Sequence, residues 1–325
     1  MRALVVEELK PDYAGCVVKE IPTPEPKAGE VRIKVRAAAV NFPDLMQTRG
    51  EHQHKPQVPF IPGMELAGEI DALGEGVTGW KLGDAVVGGA RIGGFSEYAV
   101  TPAIALRAKP PSLSFSQAAG YAVAYLTAYV AFVRRAQVEA GEWVLVHGAA
   151  GGVGLAAVDL AKHLGCKVIA ASASDEKLAI IERDYAPDAI VNVTKGFRER
   201  VKEITGGRGA DVIYDPVGGD VFDESIRCIA FNGRILSIGF TSGRLPVMPV
   251  NIALIKGISL MGVRAGEYGR QLPQKGAENN AAIWDLAPHM KPRVHAEYAL
   301  DDWQAAFDTL ANRTVVGKTV IRPDL

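Results

Sequence analysis

Cysteine is scarce in this chain: Cys16, Cys166 and Cys228 are the only three in 325 residues, and they stand far apart. An odd, scattered set suggests no disulfide framework and no run of metal-ligating thiolates, and it fits a reducing cytoplasm. Excess charge of one sign is missing too. The formal net charge is −1, with both signs spread along the chain, which argues against a nucleic-acid surface. No apolar run is long enough to span a bilayer. The longest, Ala118 to Val133, carries Thr127 and four tyrosine or phenylalanine rings. The N-terminus, Met1-Arg2-Ala3-Leu4-Val5-Val6-Glu7-Glu8, turns acidic too soon for a signal peptide. Repeats and low-complexity tracts are absent. What remains is a cytoplasmic chain long enough for two domains and a large core.

The most informative stretch that is present runs from Trp143 to Gly154, WVLVHGAAGGVG. Trp143 to Val146 is a short apolar run suited to burial on both faces of a parallel sheet. Gly148, Gly151, Gly152 and Gly154 follow, and then a helical pattern from Leu155 to Lys162. Strand, glycine turn and helix form the arrangement that binds a dinucleotide pyrophosphate. Glycine lets the backbone approach the phosphate oxygens, and the helix start presents free N–H groups. A glycine cluster alone is as often a plain turn. Here a second apolar run, Val168 to Ala171, completes a β-α-β unit of about 30 residues, as the fingerprint requires. One departure is visible: Ala149 replaces the first glycine of G-x-G-x-x-G, which a tight turn tolerates if its φ is negative.

The first third of the chain reads as short strands with Gly and Pro punctuation. Arg2 to Glu7, Val17 to Ile21, Glu30 to Val40, Glu65 to Ile70, Gly83 to Gly88 and Gly93 to Val100 predict a β-rich domain or barrel. In Glu30 to Val40, Val31, Ile33 and Val35 alternate with Arg32, Lys34 and Arg36, the pattern of a half-buried strand. The character changes near Pro110-Pro111-Ser112. Ser116 is read as the N-cap of a long helix reaching about Arg135. Strands Val168 to Ala171, Ala189 to Val193, Val212 to Asp215 and Arg234 to Ile238 then alternate with helices Leu178 to Arg183, Phe197 to Ile204 and Val221 to Ala230. That alternation predicts an α/β doubly wound parallel sheet. After about Gly262 the pattern is mixed, with a helix Trp303 to Leu310 and a final strand Lys318 to Ile321.

Further segments stand along the chain in this order: Ala39-Val40-Asn41-Phe42-Pro43-Asp44, Pro62-Gly63-Met64-Glu65-Leu66-Ala67-Gly68, Gly83-Asp84-Ala85-Val86, Gly94-Phe95-Ser96-Glu97-Tyr98 and Tyr125-Leu126-Thr127-Ala128-Tyr129. The glycine loop, Asp215-Pro216-Val217-Gly218-Gly219 and Gly317-Lys318 follow. Together they resemble the zinc-free NADPH:quinone oxidoreductase branch, the zeta-crystallin-like branch, of the medium-chain dehydrogenase/reductase superfamily. The resemblance implies a Rossmann domain inserted in a GroES-like β-rich catalytic domain, and a homodimer. The expected boundaries are 1–117 with 263–325 for the catalytic domain and 118–262 for the Rossmann domain. Zinc-bearing members of the superfamily carry Gly-His-Glu where this chain reads Gly63-Met64-Glu65, and a cysteine roughly where Asn41 stands. Methionine and asparagine do not replace an imidazole and a thiolate at zinc. His52 and His54 form an H-Q-H pair without a third ligand nearby, and read as solvated loop residues. No metal is expected.

The cofactor follows from the second strand of the unit. NAD enzymes place an acid there for the ribose 2′-hydroxyl. Here the strand ends Ala171-Ser172-Ala173-Ser174-Asp175-Glu176-Lys177. Serine donates hydrogen bonds to a 2′-phosphate and Lys177 supplies charge, which favours NADPH; Ser172 and Ser174 also suit capping of the next helix. Asp175 weighs against this reading. Val193 stands where many relatives have a tyrosine, so one adenosine contact is missing. The resemblance puts Ala150, Gly151, Gly152, Val153 and Gly154 on the pyrophosphate, Gly239, Phe240, Gly262 and Val263 at the nicotinamide end, and Lys318 on the cofactor. It places Thr127 behind the nicotinamide ring. Thr127 also suits a bond to its own helix, and Phe240 a place in the core.

Hydride transfer asks the protein to position the acceptor and exclude water. A polar group near the acceptor then stabilises the developing oxyanion. Asn41 is the best candidate for that group. Asp44 suits a helix cap or hydrogen-bond anchor better than an acid. Met46 stands where several quinone reductases have tyrosine, so solvent is left to supply the proton. Arg264 suits either an anionic substrate or a surface carboxylate, with the carboxylate favoured. The leading expectation is a zinc-independent NADPH:quinone reductase acting on a quinone. The alternative is an enone, enal or enoyl-CoA double-bond reductase acting on a conjugated carbonyl, and a non-catalytic NADPH-binding protein comes third.

Overall fold

The computed structural model describes residues 1–53, 55–89 and 92–325. By Cα packing the chain forms two compact units, one of Met1–Ala122 with Pro292–Leu325 and one of Val123–Lys291.

The first unit is built on a seven-stranded sheet. Its order is Val294–Ala299, Lys318–Arg322, Glu30–Ala39, Glu65–Leu73, Ala85–Gly89 and Arg107–Ala108, with Tyr98–Pro102 also paired to Glu30–Ala39. The long strand Glu30–Ala39 shows the expected alternation, with Val31, Ile33 and Val35 buried. Its outward arginines pair across the strand contacts, Arg32 with Asp71 at 2.6 Å and Arg36 with Glu69 at 2.7 Å. A hairpin, Arg2–Val6 with Cys16–Glu20, adds Leu4 to the core. Tyr13, Trp303 and Phe307 meet edge to face there, with ring centroids 5.2–6.3 Å apart. Such contacts add to plain area burial because ring edges are positive and ring faces negative. The C-terminal strand Lys318–Arg322 sits inside the sheet, between Val294–Ala299 and Glu30–Ala39, so the tail belongs to this unit's core.

The helix expected from Ser116 to Arg135 is interrupted. Ser114 is the cap: its hydroxyl accepts from Gln117 N at 3.2 Å, and Ser116 lies inside the helix Phe115–Ala119. The first helix ends at Gly120, which packs closely against the Lys318 side chain. A Cβ there would lie 3.2 Å from Lys318 Cβ and Cγ. A second helix, Ala122–Tyr129, then passes into a π-helical stretch, Val130–Ala136, which ends in left-handed backbone at Gln137.

The second unit carries a six-stranded, all-parallel sheet in the order Ala189–Asn192, Lys167–Ser172, Trp143–Val146, Ala210–Asp215, Ile229–Ser237, Ser259–Gly262. In chain order within this sheet that is 3-2-1-4-5-6, the doubly wound arrangement. Its switch point lies between Trp143–Val146 and Ala210–Asp215. The strands are nearly continuous in apolar residues because helices cover both faces; Val144, Leu145, Val146, Val168, Ile169, Val212 and Ile213 are fully buried.

The second boundary falls at 291/292, whereas the chain pattern suggested 262/263. Residues beyond Gly262 fold into two further helices, Ala265–Gln271 and Pro273–Leu286. Arg134 holds them to this unit through Asn279 Oδ1 at 2.7 Å and Glu278 at 2.9 Å. Asp159, Tyr125 and Tyr185 hold the last residue. Asp159 Oδ2 accepts from Tyr125 OH at 2.6 Å and from Lys291 N at 2.7 Å, and Tyr185 OH donates to Lys291 O at 2.5 Å. All three cysteines are free. Among the described residues, no helix is long and apolar enough to cross a membrane.

Candidate active site

In the second unit the glycine loop joins the strand Trp143–Val146 to the helix Gly152–His163. Left-handed backbone falls on Gly148, with φ +56, so Ala149 needs no glycine conformation. Ala149 N donates to Ala171 O at 3.0 Å, which ties the loop to the end of the second strand. Gly151 is the N-cap, and its own N–H turns back to Gly148 O at 2.9 Å. No side chain caps the helix, so the amides of its first turn, from Gly152 to Gly154, face outward as an anion-binding end. Gly154 is where helix and loop meet most closely: a Cβ would sit 2.2 Å from Gly148 O. The loop therefore fits a dinucleotide pyrophosphate in backbone geometry, not only in residue type.

Beneath it, His147 is buried, and its Nε2 lies 2.8 Å from Ser225 Oγ. Burial pulls the imidazole down to about 3, so the ring stays neutral at the base of the loop.

The residues after the second strand form a chain of short contacts. Ser172 Oγ accepts from Ser174 N at 3.4 Å, and Ser174 Oγ caps the next helix by accepting from Lys177 N at 3.3 Å. A hydroxyl that accepts one bond still has a proton to donate, so capping and phosphate binding are compatible. Burial lowers the Lys177 ammonium below the ordinary lysine value. Asp175, the residue that weighed against a phosphate, is engaged elsewhere: its Oδ1 accepts from Asn192 Nδ2 at 2.6 Å.

Other strand ends gather at the same edge. Asp215 Oδ1 accepts from Val217 N at 2.8 Å and Gly218 N at 2.9 Å, which shapes the turn after the fourth strand. The turn after the fifth strand hydrogen-bonds to it, Thr241 N to Pro216 O at 3.1 Å and Ser242 N to Val217 O at 2.9 Å. Gly239 and Phe240 lie in that turn, and Phe240 is half exposed rather than core. Val263 N donates to Ser237 O at 2.9 Å, so Gly262 and Val263 reach the same edge. Arg264 is exposed and stands 3.9 Å from Glu267, the surface pairing expected of it. Thr127 Oγ1 bonds Val123 O at 2.7 Å, the helix-internal bond its sequence position allowed.

The first unit holds a separate buried cluster. Asn41 precedes the helix Phe42–Thr48, and its N–H donates to Asp44 Oδ2 at 2.8 Å. Asp44 Oδ1 accepts from Gly63 N at 3.3 Å, fixing the turn before the strand Glu65–Leu73. Asp44 thus ties the start of the helix to the turn before that strand. Burial, with Glu65 nearby, pushes its carboxyl up to about 7 against the pull of those two N–H groups and Lys318. The Asn41 amide is oriented by charge on both sides. Nδ2 faces Glu65 Oε1 at 3.0 Å and Ala39 O at 3.3 Å, while Oδ1 receives Lys318 Nζ at 2.5 Å. Both N–H groups of Asn41 are therefore taken within the cluster. Lys318 Nζ also pairs with Glu65 Oε1 at 2.8 Å.

Two family models match this chain, an alcohol dehydrogenase GroES-like domain over residues 27–111 and a zinc-binding dehydrogenase over 152–279. A curated relative from Nematostella vectensis, a quinone oxidoreductase-like protein 2 homolog, is 40% identical over 297 residues, covering 90% of this chain and 81% of its own. The chain belongs to the quinone oxidoreductase branch of the medium-chain dehydrogenase/reductase superfamily. Among solved structures, a probable oxidoreductase from Mycobacterium abscessus superposes with a TM-score of 0.90 at 35% identity, covering 99% of both chains. A mycobacterial protein, Rv1454c, solved in complex with NADPH, superposes at 0.88 with 30% identity, covering 99% of this chain and 100% of its own.

In this member of the superfamily Ala150 to Gly154, Ser172, Ser174, Lys177, Gly239, Phe240, Gly262 and Val263 lie at or just after the ends of the parallel strands. Lys318, expected on the cofactor, has its ammonium on Asn41 and Glu65 in the other unit. Sequence reasoning passed over Glu65 as a partner and His147 altogether. Glu65 carried a signal, since it follows Met64 in the segment where zinc-bearing members read Gly-His-Glu. His147 carried none beyond its place before Gly148. His54 lies outside the described residues, and among those described no group of three or more His, Cys, Asp or Glu is placed to hold a metal.

Proposed function

We propose that this protein is a zinc-independent NADPH:quinone oxidoreductase. The observation that carries the cofactor assignment is the end of the second strand: Ser172, Ser174 and Lys177 line it, and the nearest acid, Asp175, is bonded to Asn192. When bound, the reduced nicotinamide supplies a hydride. The chain's own part is to hold the pyrophosphate on the amides of Gly152 to Gly154 and the 2′-phosphate on the serine and lysine side chains. The strand-end turns at Gly239 and Val263 support the other half of the dinucleotide. Zinc independence rests on donor chemistry. Asn41 and Met64 stand in the ligand positions, and the Glu65 carboxylate is paired with Lys318.

NADPH oxidation is expected with 1,4-benzoquinone and 9,10-phenanthrenequinone, faster than with acrolein or crotonyl-CoA, and unchanged by a zinc chelator. Turnover confined to acrolein or crotonyl-CoA moves the enzyme to double-bond reduction. Tight NADPH binding without oxidation by any acceptor removes the catalytic reading.

We also propose a homodimer joined along the edge strand Ser259–Gly262. That strand ends the six-stranded order; Leu260 within it is 47% exposed, and Leu254 and Ile255 of the preceding helix Val250–Lys256 are 84% and 72% exposed. An unpaired edge flanked by exposed aliphatic residues invites a second copy of the same edge about a two-fold axis. Burying one such side chain contributes about 1.5–3 kcal/mol. Sedimentation of the wild type should give twice the chain mass, and Ile255→Asp with Leu260→Asp should give a folded monomer. A monomeric wild type would sink this assembly.

A further inference from the structure

Where the helices Arg198–Ile204 and Gly219–Cys228 meet, the second unit has an open surface cavity of about 290 Å³. Its lining is charged throughout: Arg198, Asp220, Asp223, Glu224 and Arg227. The last four stand on one helix at spacings of three and four, so they share a face. At about 30 Å³ per molecule of liquid water, the space corresponds to about ten waters, more than one small ion fills. None of the five residues belongs to the dinucleotide set described above.

The charges divide along that face. At the helix start, Asp220 Oδ1 and Asp223 Oδ2 both meet Arg244, the first at 2.8 Å. Glu224 Oε1 accepts from Phe197 N at 2.6 Å and from Arg198 N at 2.9 Å. Among the described residues, no hydrogen bond engages the second oxygen of any of these carboxylates, Asp220 Oδ2, Asp223 Oδ1 or Glu224 Oε2. The far end is basic. Arg198 pairs only with its exposed neighbour Glu199, at 2.9 Å. The exposed Arg227 has no side-chain hydrogen bond or ion pair among the described residues. Burial holds the Lys256 ammonium below the ordinary lysine value, and the like charges of Lys202 and Arg227 add to that pull. Cations from three helices therefore crowd this end, and Arg227 has no acid of its own.

We propose that this cavity binds a phosphorylated sugar or polyol, with its phosphate between Arg198 and Arg227 and its hydroxyls on the second oxygens of Asp220, Asp223 and Glu224. A guanidinium presents parallel N–H donors in a planar fork, which matches the oxygens of a phosphate. An ionised carboxylate only accepts, so the acidic end matches hydroxyl donors and repels a second anion. Arg244 offsets the charge of Asp220 and Asp223 and leaves one oxygen of each to a ligand. An inorganic anion satisfies one end of the cavity and a neutral sugar the other; a sugar phosphate satisfies both. Binding involves no covalent step.

Calorimetry on the full chain, at fixed ionic strength and with excess NADPH to fill the glycine loop, compares glucose 6-phosphate, inorganic phosphate and glucose. Glucose 6-phosphate should bind saturably, one per chain, and at least about tenfold more tightly than inorganic phosphate or glucose. Arg198→Gln with Arg227→Gln should weaken it about tenfold or more, since hydrogen bonds to a charged group are lost. Both side chains are exposed, so this variant should melt with the wild type. Asp220→Ala with Asp223→Ala should bring the affinities for glucose 6-phosphate and inorganic phosphate toward each other. Absence of saturable binding, or unchanged binding in the arginine variant, would overturn the site. Equal wild-type affinity for glucose 6-phosphate and inorganic phosphate would overturn the sugar-phosphate assignment. If NADPH itself does not bind, the cofactor reading fails alone, and the comparison of wild type with the arginine variant still decides this one.

Discussion

Gly154→Ala should abolish useful NADPH binding, although it adds a single methyl group. The new Cβ would lie 2.2 Å from Gly148 O, 2.8 Å from Gly148 C and 3.0 Å from Ala149 Cα. Those are backbone atoms of the loop, so no flexible side chain can yield. Either the helix Gly152–His163 shifts away or the loop opens, and each moves the first-turn amides off the pyrophosphate. Overpacking of this kind costs about 1–3 kcal/mol, and a loss of about 1.4 kcal/mol is tenfold in affinity. Losing several amide contacts at once should carry the effect past about a hundredfold. Titration of NADPH by its fluorescence measures it, with a melting curve to confirm folding. Wild-type affinity in the alanine variant would mean that the dinucleotide does not sit on this loop.

Ser172→Asp combined with Lys177→Ala should invert the cofactor preference from NADPH to NADH. Ser172 pairs in register with Asn192 at the end of the second strand, the position where an acid selects a ribose hydroxyl. A carboxylate there repels a 2′-phosphate and accepts hydrogen bonds from a free 2′-hydroxyl. Two unit charges about 4 Å apart interact by about 4 kcal/mol at an effective dielectric of about 20. Adding a negative charge and removing a positive one should therefore shift the ratio of kcat/KM values by about a hundredfold or more. Asp175 should not interfere, since Asn192 already holds it. An unchanged NADPH preference would remove the 2′-phosphate assignment and leave the loop without a cofactor specificity.

The two predictions differ in how they could be anticipated. The glycine spacing of the loop and the serines after the second strand are close together in the chain, and both were legible from residue type and the hydrophobic period around them. Even there the structure changed the explanation. Ala149 is tolerated because Gly148 takes the left-handed backbone, and Asp175 ceases to be an objection once Asn192 is seen beside it. The helix after Pro110 was legible as a helix but not in its detail. Ser116 reads as the cap from the sequence, and only the bond from Gln117 N to Ser114 Oγ moves the cap to Ser114. Gly120, where that helix ends, packs against Lys318, 198 positions further along, a contact that no local pattern announces. From the sequence Asn41 is the best candidate for a polar group near the acceptor. Its carboxamide is instead held between an ammonium and a carboxylate.

By itself the sequence determined the strand–loop–helix unit, the alternation that makes a doubly wound sheet, the β-rich first part, and the superfamily. These depend on backbone preferences and burial periods that operate over a few residues. Tertiary structure alone decided where the second unit ends, and which charged groups are buried together. Residues 265–291 join that unit through Arg134, Asp159 and Tyr185. Lys318 lies 277 residues from Asn41 and 253 from Glu65 in the chain. The energy of a charge depends on the water it loses and the partners it gains, and both are set by what folding brings around it.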